Sequence, residues 1–222
     1  MEDFKNAIPY KLKTNKKYKI LANIAQPHLR KNLPGLLEAY GRAFNKNDDV
    51  CLVLKVVRKK PTQSFEVSFD DIYLEFKKKY RNHAETEIIE EFIPNIASLY
   101  KAADVVFTMA HTECFYLPGI EALCAGNIVI SPRYGGQLDF LNDTNSILVG
   151  GRVIQALPKA QYWSSSPYSK MFEPNIDEAA EKLRFAIKNS DSLKKYLYKN
   201  VDLSRYTWDN VVDNILKFCK DD

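Results

Sequence analysis

The sequence predicts an α/β protein with a doubly wound parallel β-sheet and helices at its C-terminus. Apolar segments of strand length alternate about six times with segments of helical period between Tyr18 and Val149. Two strand segments, VCLVLKVV and ADVVFTMA, are continuous apolar runs, which is typical of strands buried on both faces. Short connections between alternating strands and helices favour right-handed βαβ units, so we expect helices on both faces of the sheet.

Each element is predicted from its own pattern. Strands are indicated by period-two alternation or by short apolar runs: YKILANIA, VCLVLKVV, TEIIEEFI, ADVVFTMA, NIVISP and SILV. Helices are indicated by helical spacing of apolar residues: LPGLLEAYGRAF, FDDIYLEFKKKYR, IASLYKAA, PGIEALCA, NIDEAAEKLRFAIKNS, DSLKKYLYKN and YTWDNVVDNILKFCK. GGQLDFL is predicted to be a turn that leads into a helix. Asp177 and Asp209 lie near predicted helix starts, where a carboxylate suits the helix dipole.

The 222 residues suffice for one large domain or two small ones. Residues 1–16 are polar and rich in lysine, and we predict a linker or N-terminal extension there. Residues 17–222 form the predicted domain. Within it, residues 150–174 are predicted to be a long loop, because they are rich in Pro, Ser and aromatic residues. Loops of this length inside a compact domain are usually functional or disordered.

Composition excludes several classes of protein. The net charge of +4 is too small to argue for nucleic acid as a partner. No apolar stretch approaches the ~20 residues of a membrane span, and the N-terminus lacks the apolar core of a secretory signal, so we expect a cytoplasmic location. The four cysteines lack metal-ligand spacing, and we expect free thiols. The six lysines between Lys5 and Lys19 are interpreted as a solvated face; contact with an anionic membrane surface or substrate is the alternative.

Three loops that follow predicted strands carry a candidate anion site. In an open parallel sheet, ligands bind outside the carboxyl ends of the strands. The loop after YKILANIA carries Arg30 and Lys31, the loop after ADVVFTMA runs from His111 to Pro118, and the loop after NIVISP runs from Arg133 to Gly136. Together these loops offer cations, a glycine turn and a helix N-terminus to a single anionic ligand.

The helix that begins near Pro118 is predicted to bind a phosphate at its N-terminus. Proline suits the first turn of a helix, because its missing N–H would be unpaired there anyway. The free amides around Leu117 to Ile120, together with the positive end of the helix dipole, would form the phosphate site. The two glycines would allow a second ligand oxygen to approach the backbone. The two cations of the first loop would neutralise a diphosphate.

Glu113 and Glu121 are separated by seven residues and lie on either side of this helix start. A carboxylate would repel a bound diphosphate, so its presence there needs a reason. Neutral hydroxyls that donate hydrogen bonds to the carboxylate supply one, and a ribose and a hexose both offer them. Glu121, one turn into the helix, would reach the ribose, and Glu113 would reach the sugar on the other side of the diphosphate. On spacing alone, a solvated Glu121 and a helix-capping Glu113 remain the alternative.

The segment ECFYLPGIEALCAGNIV, which begins at Glu113, resembles the Glu-x7-Glu motif of retaining GT-B glycosyltransferases, the glycogen synthase and mannosyltransferase-like group. Four further motifs occur in the order of that family: RKNLPGLLEAY, LYKAADVVF, GGQLDFL and YTWDNVV. The match covers roughly Tyr18 to Lys220. The resemblance implies the C-terminal, nucleotide-sugar-binding domain of such an enzyme, which is a Rossmann-like half of a GT-B fold.

The resemblance implies a role for each site residue. Lys31, assisted by Arg30, would contact the diphosphate, and Glu113 would bind the donor hexose, so Lys31 and Glu113 are the candidate catalytic residues. Glu121 would hold the ribose hydroxyls. Further donor-binding positions are Phe92 and Ile93, whose backbone would hold the base, and Phe115, Tyr116 and Leu117, whose amides would approach the sugar and phosphate. From their places in the loops alone, Gly135, Gly136 and His111 are added as candidate ligand contacts; a surface or hydrogen-bonded histidine is the alternative for His111. The donor would be a GDP- or UDP-linked hexose, transferred with retention to a glycan or lipid acceptor without a metal or another cofactor.

The sequence also departs from the family pattern. Ala25 and Gln26 stand where the family often has another cation, and Cys114 and Tyr116 replace glycines beside the sugar. The N-terminal acceptor domain of the family is missing from these residues, so we expect it elsewhere in the same polypeptide or in a separate subunit. Two alternatives remain open: a nucleotide-sugar epimerase of the same fold, and a non-catalytic module for nucleotide-sugar binding or interaction.

Overall fold

The computed structural model describes residues 2–58, 67–156 and 168–219. The strands are Tyr18–Ala25 (β1), Val50–Val56 (β2), Glu85–Ile89 (β3), Val105–Phe107 (β4), Ile128–Pro132 (β5), Ile147–Val149 (β6), Gly151–Gln155 (β7) and Lys170–Pro174 (β8). The α-helices are Glu2–Asn6 (α1), Leu33–Ala43 (α2), Phe69–Lys79 (α3), Ala97–Lys101 (α4), Leu117–Ala125 (α5), Ile176–Lys188 (α6), Ser190–Tyr198 (α7) and Trp208–Phe218 (α8).

Six of the strands form one parallel sheet in the order β3-β2-β1-β4-β5-β6, which confirms the predicted doubly wound fold. β1 pairs with β2 on one side and with β4 on the other, so the strand order reverses between β1 and β4. At such a switch point the chain leaves neighbouring strands in opposite directions, and a crevice opens beyond their carboxyl ends. The loops that follow β1 and β4 meet at this crevice, and they carry Lys31 and Glu113.

Helices cover both faces of the sheet, as alternate residues of β1 show. Ile20 and Ala22 pack into a core with α2, α3 and α6, whereas Leu21 packs on the other face with α4 and α5. All three side chains are fully buried. Burial on both faces explains why the strands of this sheet are continuous apolar runs in the sequence.

The prediction of a loop over residues 150–174 is wrong at both ends. β7 and β8 occupy those ends and pair with each other as an antiparallel hairpin. Gly151 allows the two strands to approach, because a Cβ atom there would lie 2.2 Å from the Glu173 carbonyl oxygen. The central residues 157–167 of the predicted loop lie outside the described part of the chain. The prediction rested on the Pro and Ser content of the segment. Composition does not report the pairing of β7 with β8, which joins residues on either side of that segment.

The predicted helix in GGQLDFL is only a single 3-10 turn, Gly136–Asp139. The backbone leaves the helical region at Phe140, whose φ is −133°. The ring of Phe140 packs against Phe115 and Tyr206, with centroid distances of 5.4 and 6.0 Å. The chain thus turns away from the helical path at the residue whose ring packs into this aromatic cluster.

Residues 2–16 pack along the domain. The ring of Phe4 on α1 meets the ring of Tyr100 edge-on at 5.8 Å. The Tyr10 amide donates to the Ser98 carbonyl oxygen at 2.8 Å, and Leu12 packs against the core formed with α4 and α5. A linker function for this segment, and contact of its lysines with a membrane, stay predictions.

Among the described helices, none combines the length and the apolar composition that crossing a membrane requires. All four cysteines are free thiols, of which Cys51 and Cys124 are buried and Cys114 and Cys219 are exposed. The described ranges contain no group of three His, Cys, Asp or Glu side chains that could hold a metal ion. A cytoplasmic location and a reaction that needs no metal stay predictions.

Candidate active site

A cleft of about 720 Å³ lies at the switch point of the sheet. Its lining comprises residues 28–30 after β1, residues 112–118 before and within the start of α5, and residues 156 and 169–171 of the β7–β8 hairpin. Volumes of roughly 300–1,000 Å³ are typical of small-molecule sites. Of the predicted site residues, Arg30, Glu113, Phe115, Tyr116 and Leu117 line this cleft.

Two cations hold the carboxylate of Glu113. The Lys31 ammonium lies 2.5 Å from Oε1, and the Arg30 guanidinium lies 2.9 Å from Oε2. The Glu113 side chain is only 8% exposed, against 14% for Lys31 and 36% for Arg30. A buried carboxylate is tolerated when it is paired in this way. Because two positive groups face one negative group, the cluster keeps a net charge of +1 and attracts an anion.

Backbone and side-chain hydrogen bonds join the loops that carry this cluster. Asn32 adopts a left-handed conformation (φ 49°) and caps α2, with Oδ1 accepting from the Gly35 amide. Its Nδ2 group donates to the Met109 carbonyl oxygen at 3.0 Å. The His111 amide donates to the Arg30 carbonyl oxygen at 2.7 Å. The cations and Glu113 are thus placed by a rigid junction of two loops.

His111 also anchors the β7–β8 hairpin against the cleft. Its carbonyl oxygen accepts from the Phe172 amide at 2.8 Å, and its Nδ1 lies 2.7 Å from the Phe172 carbonyl oxygen. Since a carbonyl oxygen only accepts, Nδ1 carries the proton. The rings of Phe172 and Tyr134 stack at 5.2 Å. His111 is 9% exposed, and its predicted contact with a ligand stays a prediction that only Nε2 is free to fulfil.

Helix α5 begins with a strained residue. Tyr116 has φ 65° and ψ 60°, a left-handed conformation that costs a residue with a side chain about 1 kcal/mol. Its ring is buried, and Gly119 makes room for it, because a Cβ atom at Gly119 would lie 2.6 Å from the ring. Burial and the nearby charge of Glu113 raise the pKa of Tyr116, so the phenol stays neutral. Packing of this ring offsets the backbone strain.

Three successive backbone amides at the start of α5 have no acceptor among the described residues: those of Phe115, Tyr116 and Leu117. Successive free amides at the positive end of a helix form an anion-binding concavity. The predicted set of free amides, Leu117 to Ile120, is wrong at Gly119, whose N–H donates to the Tyr116 carbonyl oxygen at 2.9 Å. The left-handed turn at Tyr116 moves the free amides toward the N-terminus.

Gly135 and Gly136 lie where two loops of the site come into contact. The structure shows them packed against their own chain: the Gly136 amide donates to the Glu113 carbonyl oxygen at 3.1 Å. A Cβ atom on Gly136 would lie 1.6 Å from the Cys114 carbonyl oxygen, and one on Gly135 would lie 2.8 Å from that of Glu113. The missing side chains therefore allow the two loops to touch, and approach of a ligand to these glycines stays a prediction.

The remaining predicted residues lie outside the lining of the cleft. Glu121 is half-buried on α5, and its Oε2 accepts from the Tyr100 hydroxyl at 2.6 Å. Beyond the end of β3, Ile93 is buried whereas Phe92 is 86% exposed. Sequence reasoning missed both Tyr100 and the hairpin wall of the cleft. Tyr100 lies within LYKAADVVF, a motif that indicates the family and not this contact, and no local pattern indicates the hairpin.

The fold is that of one Rossmann-like half of a GT-B protein, and comparison with known proteins identifies the family. The chain belongs to the glycosyl transferases group 1 family, whose model matches residues 4–160. This result confirms the resemblance found in the five sequence motifs. A relative, the D-inositol 3-phosphate glycosyltransferase of Acidothermus cellulolyticus, is 25% identical over 126 residues, which cover 57% of this chain and 23% of the relative.

Solved structures show the same fold. A sucrose-phosphate synthase from Thermosynechococcus elongatus is similar over 100% of this chain and 48% of its own, with a TM-score of 0.67 and 16% identity. HepE of Anabaena, in complex with UDP, matches 91% of this chain and 48% of its own, with a TM-score of 0.64 and 14% identity. The C-terminal domain of a group 1 glycosyl transferase from Francisella tularensis matches 87% of this chain and 90% of its own, with a TM-score of 0.58 and 21% identity. The chain thus spans about half the length of the first two.

Proposed function

We propose that this chain is the donor-binding domain of a retaining hexosyltransferase. It would bind a GDP- or UDP-linked hexose and, together with an N-terminal half, transfer the hexose to a glycan or lipid acceptor. The observation that carries this proposal is that Arg30, Glu113 and three residues with free amides at the start of α5 line one cleft, and that Lys31 pairs with Glu113. Amides and cations suit a diphosphate, and the carboxylate suits the hydroxyls of a sugar.

The proposed reaction relies on charge rather than on a protein nucleophile. When the bond between the hexose and the diphosphate breaks, the leaving diphosphate takes the bonding electron pair and gains negative charge. Lys31, Arg30 and the amides of Phe115 to Leu117 are preorganised to stabilise that charge, which is electrostatic catalysis. Glu113 would orient the hexose by accepting from its hydroxyls. Glu121 would accept from the ribose, with the backbone at Ile93 beside the base.

Ligands bound to a structural relative support a nucleotide sugar as the donor. Structures of HepE are described in complex with UDP, with UDP and glucose, and with UDP-glucose. These ligands belong to that protein, and for this chain they favour UDP over other diphosphates.

An exposed apolar face on α8 supports the proposed N-terminal half. Five large apolar side chains of this helix are 46–84% exposed: Trp208, Val212, Ile215, Leu216 and Phe218. No described residue of α8 is buried. Apolar patches of this kind usually mark an interaction surface. Because the chain spans about half of its structural relatives, the other half of such an enzyme is the proposed occupant, in the same polypeptide or as a separate subunit.

Calorimetric titration of the purified chain with UDP, GDP and ADP, and with their hexose conjugates, tests the proposal. We expect micromolar binding of one of the three diphosphates, since amides, helix dipole and cations are already in place. Binding of the matching hexose conjugate should be at least as tight. Absence of binding to all three diphosphates would overturn the proposed function for this chain.

Replacing Glu121 by alanine is expected to weaken binding of the nucleoside diphosphate about tenfold. Hydrogen bonds to a charged group contribute roughly 1.5–3 kcal/mol, and the variant removes the carboxylate proposed to accept from the ribose. Calorimetry with the diphosphate that binds best measures the change. Glu181→Ala, at an exposed position on α6, is the matched control and should leave the affinity unchanged. Equal affinities of wild type and Glu121→Ala would refute the ribose role.

Replacing Glu113 by glutamine is expected to strengthen binding of the free diphosphate, whereas Glu121→Ala weakens it. The variant removes a negative charge close to the bound phosphates and releases Lys31 and Arg30, so affinity for the free diphosphate should rise about tenfold. The additional affinity contributed by the hexose should fall. Calorimetry with the diphosphate and with its hexose conjugate measures both effects.

Glu38→Gln provides the control for this prediction. Glu38 is also held by two cations, Arg42 and Lys79, but it lies on α2 outside the cleft lining. Its replacement should leave both affinities unchanged. A weaker affinity of Glu113→Gln for the free diphosphate would contradict the proposed placement of the phosphates.

A further inference from the structure

The carboxylate of Glu121 is held on one side only. Its Oε2 accepts from the Tyr100 hydroxyl at 2.6 Å, whereas its Oε1 has no partner among the described residues. Tyr100 lies on α4 and its side chain is fully buried, and Glu121 is half-buried on α5. One oxygen is therefore oriented by the protein, and both acceptor sites of the other are left for a ligand.

The direction of the Tyr100 proton follows from its second contact. Asn23, near the carboxyl end of β1, donates its Nδ2 group to the Tyr100 oxygen at 3.3 Å. An amide NH2 group only donates, so the hydroxyl oxygen accepts there and its own proton points to Glu121. Burial and the charge of Glu121 raise the pKa of Tyr100, which favours the protonated hydroxyl.

The frame around Tyr100 leaves the hydroxyl little freedom to follow a ligand. The Asn127 side chain donates to the backbone oxygens of Tyr100 and Ala103 at 2.9 and 2.7 Å. On its other side, the Tyr100 ring meets Phe4 of α1 edge-on. Strand β1, helix α4 and the N-terminal helix thus locate a single hydroxyl against α5.

We infer that Tyr100 is a positioning residue, which together with Asn23 orients the Glu121 carboxylate so that Oε1 alone accepts from the ribose diol of the donor. The inference rests on the proposed function. It assigns the preference for a ribonucleotide over a deoxyribonucleotide to a buried hydroxyl that does not touch the ligand. A carboxylate that rotates freely would have to be fixed when the ligand binds, and the entropy lost would reduce the free energy gained from each hydrogen bond. A carboxylate that the protein already holds avoids this loss.

Tyr100→Phe tests this role, because it removes the hydroxyl and keeps the ring that packs against Phe4. The probes are whichever of UDP, GDP and ADP binds wild type most tightly, and the 2′-deoxy and 3′-deoxy analogues of that nucleotide. We expect wild type to bind the ribonucleotide about tenfold more tightly than either analogue. Tyr100→Phe should lose most of this preference, while its affinity for the deoxy analogues stays that of wild type.

Tyr40→Phe is the matched control. Tyr40 is an equally buried tyrosine on α2 whose hydroxyl donates to the Glu85 carbonyl oxygen at 2.7 Å, so its replacement removes a similar hydrogen bond from the opposite face of the sheet. This variant should lower the melting temperature and keep the preference for ribose. Asn23→Asp is a second test, which changes a different residue and keeps the Tyr100 hydroxyl. An aspartate at this position would accept a hydrogen bond from the Tyr100 hydroxyl in competition with Glu121, so the preference for ribose should fall here too.

The outcomes separate the inference from the proposed function. A full preference for ribose in both Tyr100→Phe and Asn23→Asp would overturn the positioning role and leave the proposed function intact. Equal binding of the ribonucleotide and its deoxy analogues by wild type would overturn the ribose role of Glu121 and the inference with it. Failure of wild type to bind any of the three diphosphates would overturn the proposed function itself.

Discussion

Replacing Lys31 by alanine is expected to weaken binding of the nucleoside diphosphate about 100-fold, which corresponds to roughly 3 kcal/mol. Two effects act in the same direction. The variant removes the ammonium proposed to meet the diphosphate, and it also leaves the buried Glu113 carboxylate with one cation instead of two. An incompletely paired carboxylate would then face the phosphates. Arg30→Ala should have a smaller effect, because the Arg30 side chain is more exposed and its charge is screened by solvent.

Calorimetry with the diphosphate that binds wild type best would measure this loss. Lys194→Ala is the matched control: Lys194 is a half-buried lysine that forms an ion pair at 2.5 Å with Asp104, at the opposite end of β4 from the cleft. It should keep the affinity of wild type. An affinity of Lys31→Ala within twofold of wild type would remove Lys31 from the proposed diphosphate site.

Replacing Gly136 by alanine is expected to lower the free energy of unfolding by about 3 kcal/mol, as expected for a side chain forced into closely packed backbone. The added Cβ atom would lie 1.6 Å from the Cys114 carbonyl oxygen, so one of the two loops must move. The hydrogen bond from the Gly136 amide to the Glu113 carbonyl oxygen ties that movement to the site. We therefore expect weaker diphosphate binding together with the lower stability.

Urea denaturation of wild type, Gly136→Ala and Gly126→Ala measures the cost. Gly126 has φ 83° at the end of α5, but a Cβ atom there would meet nothing within 4 Å. Its replacement carries only backbone strain, about 1 kcal/mol, and should leave binding unchanged. Equal losses of stability in the two variants would show that contact between the loops is not what requires glycine at 136.

Replacements of Lys31 and Glu113 are expected to change the affinity for the free diphosphate in opposite directions. This difference distinguishes the proposed site from an ion pair that only stabilises the fold. If the pair only stabilised the fold, both replacements would lower stability and neither would raise affinity for an anion. In the proposed site, the cation attracts the diphosphate and the carboxylate repels it, and a hydrogen bond from a sugar hydroxyl to the carboxylate offsets that repulsion. The two variants together therefore report the charge that the cleft presents to its ligand.

The sequence by itself determined the fold class, most element positions and the family. Apolar runs in β2 and β4 require burial on both faces, and the spacing of Glu113 and Glu121 around Pro118 places a helix start between them. These are local properties, which a chain displays before it folds. For the same reason the candidate residues Lys31 and Glu113 were found from the loops in which they stand.

Only the tertiary structure decided which of these residues touch. The pairing of Glu113 with both cations, the contact between Gly136 and Cys114, and the hold of Tyr100 on Glu121 each join residues from different βα units. The β7–β8 hairpin likewise depends on pairing across a segment whose composition predicts a loop. Such contacts are set by the order of strands and by close packing between loops, and neither is written in the local spacing of residues.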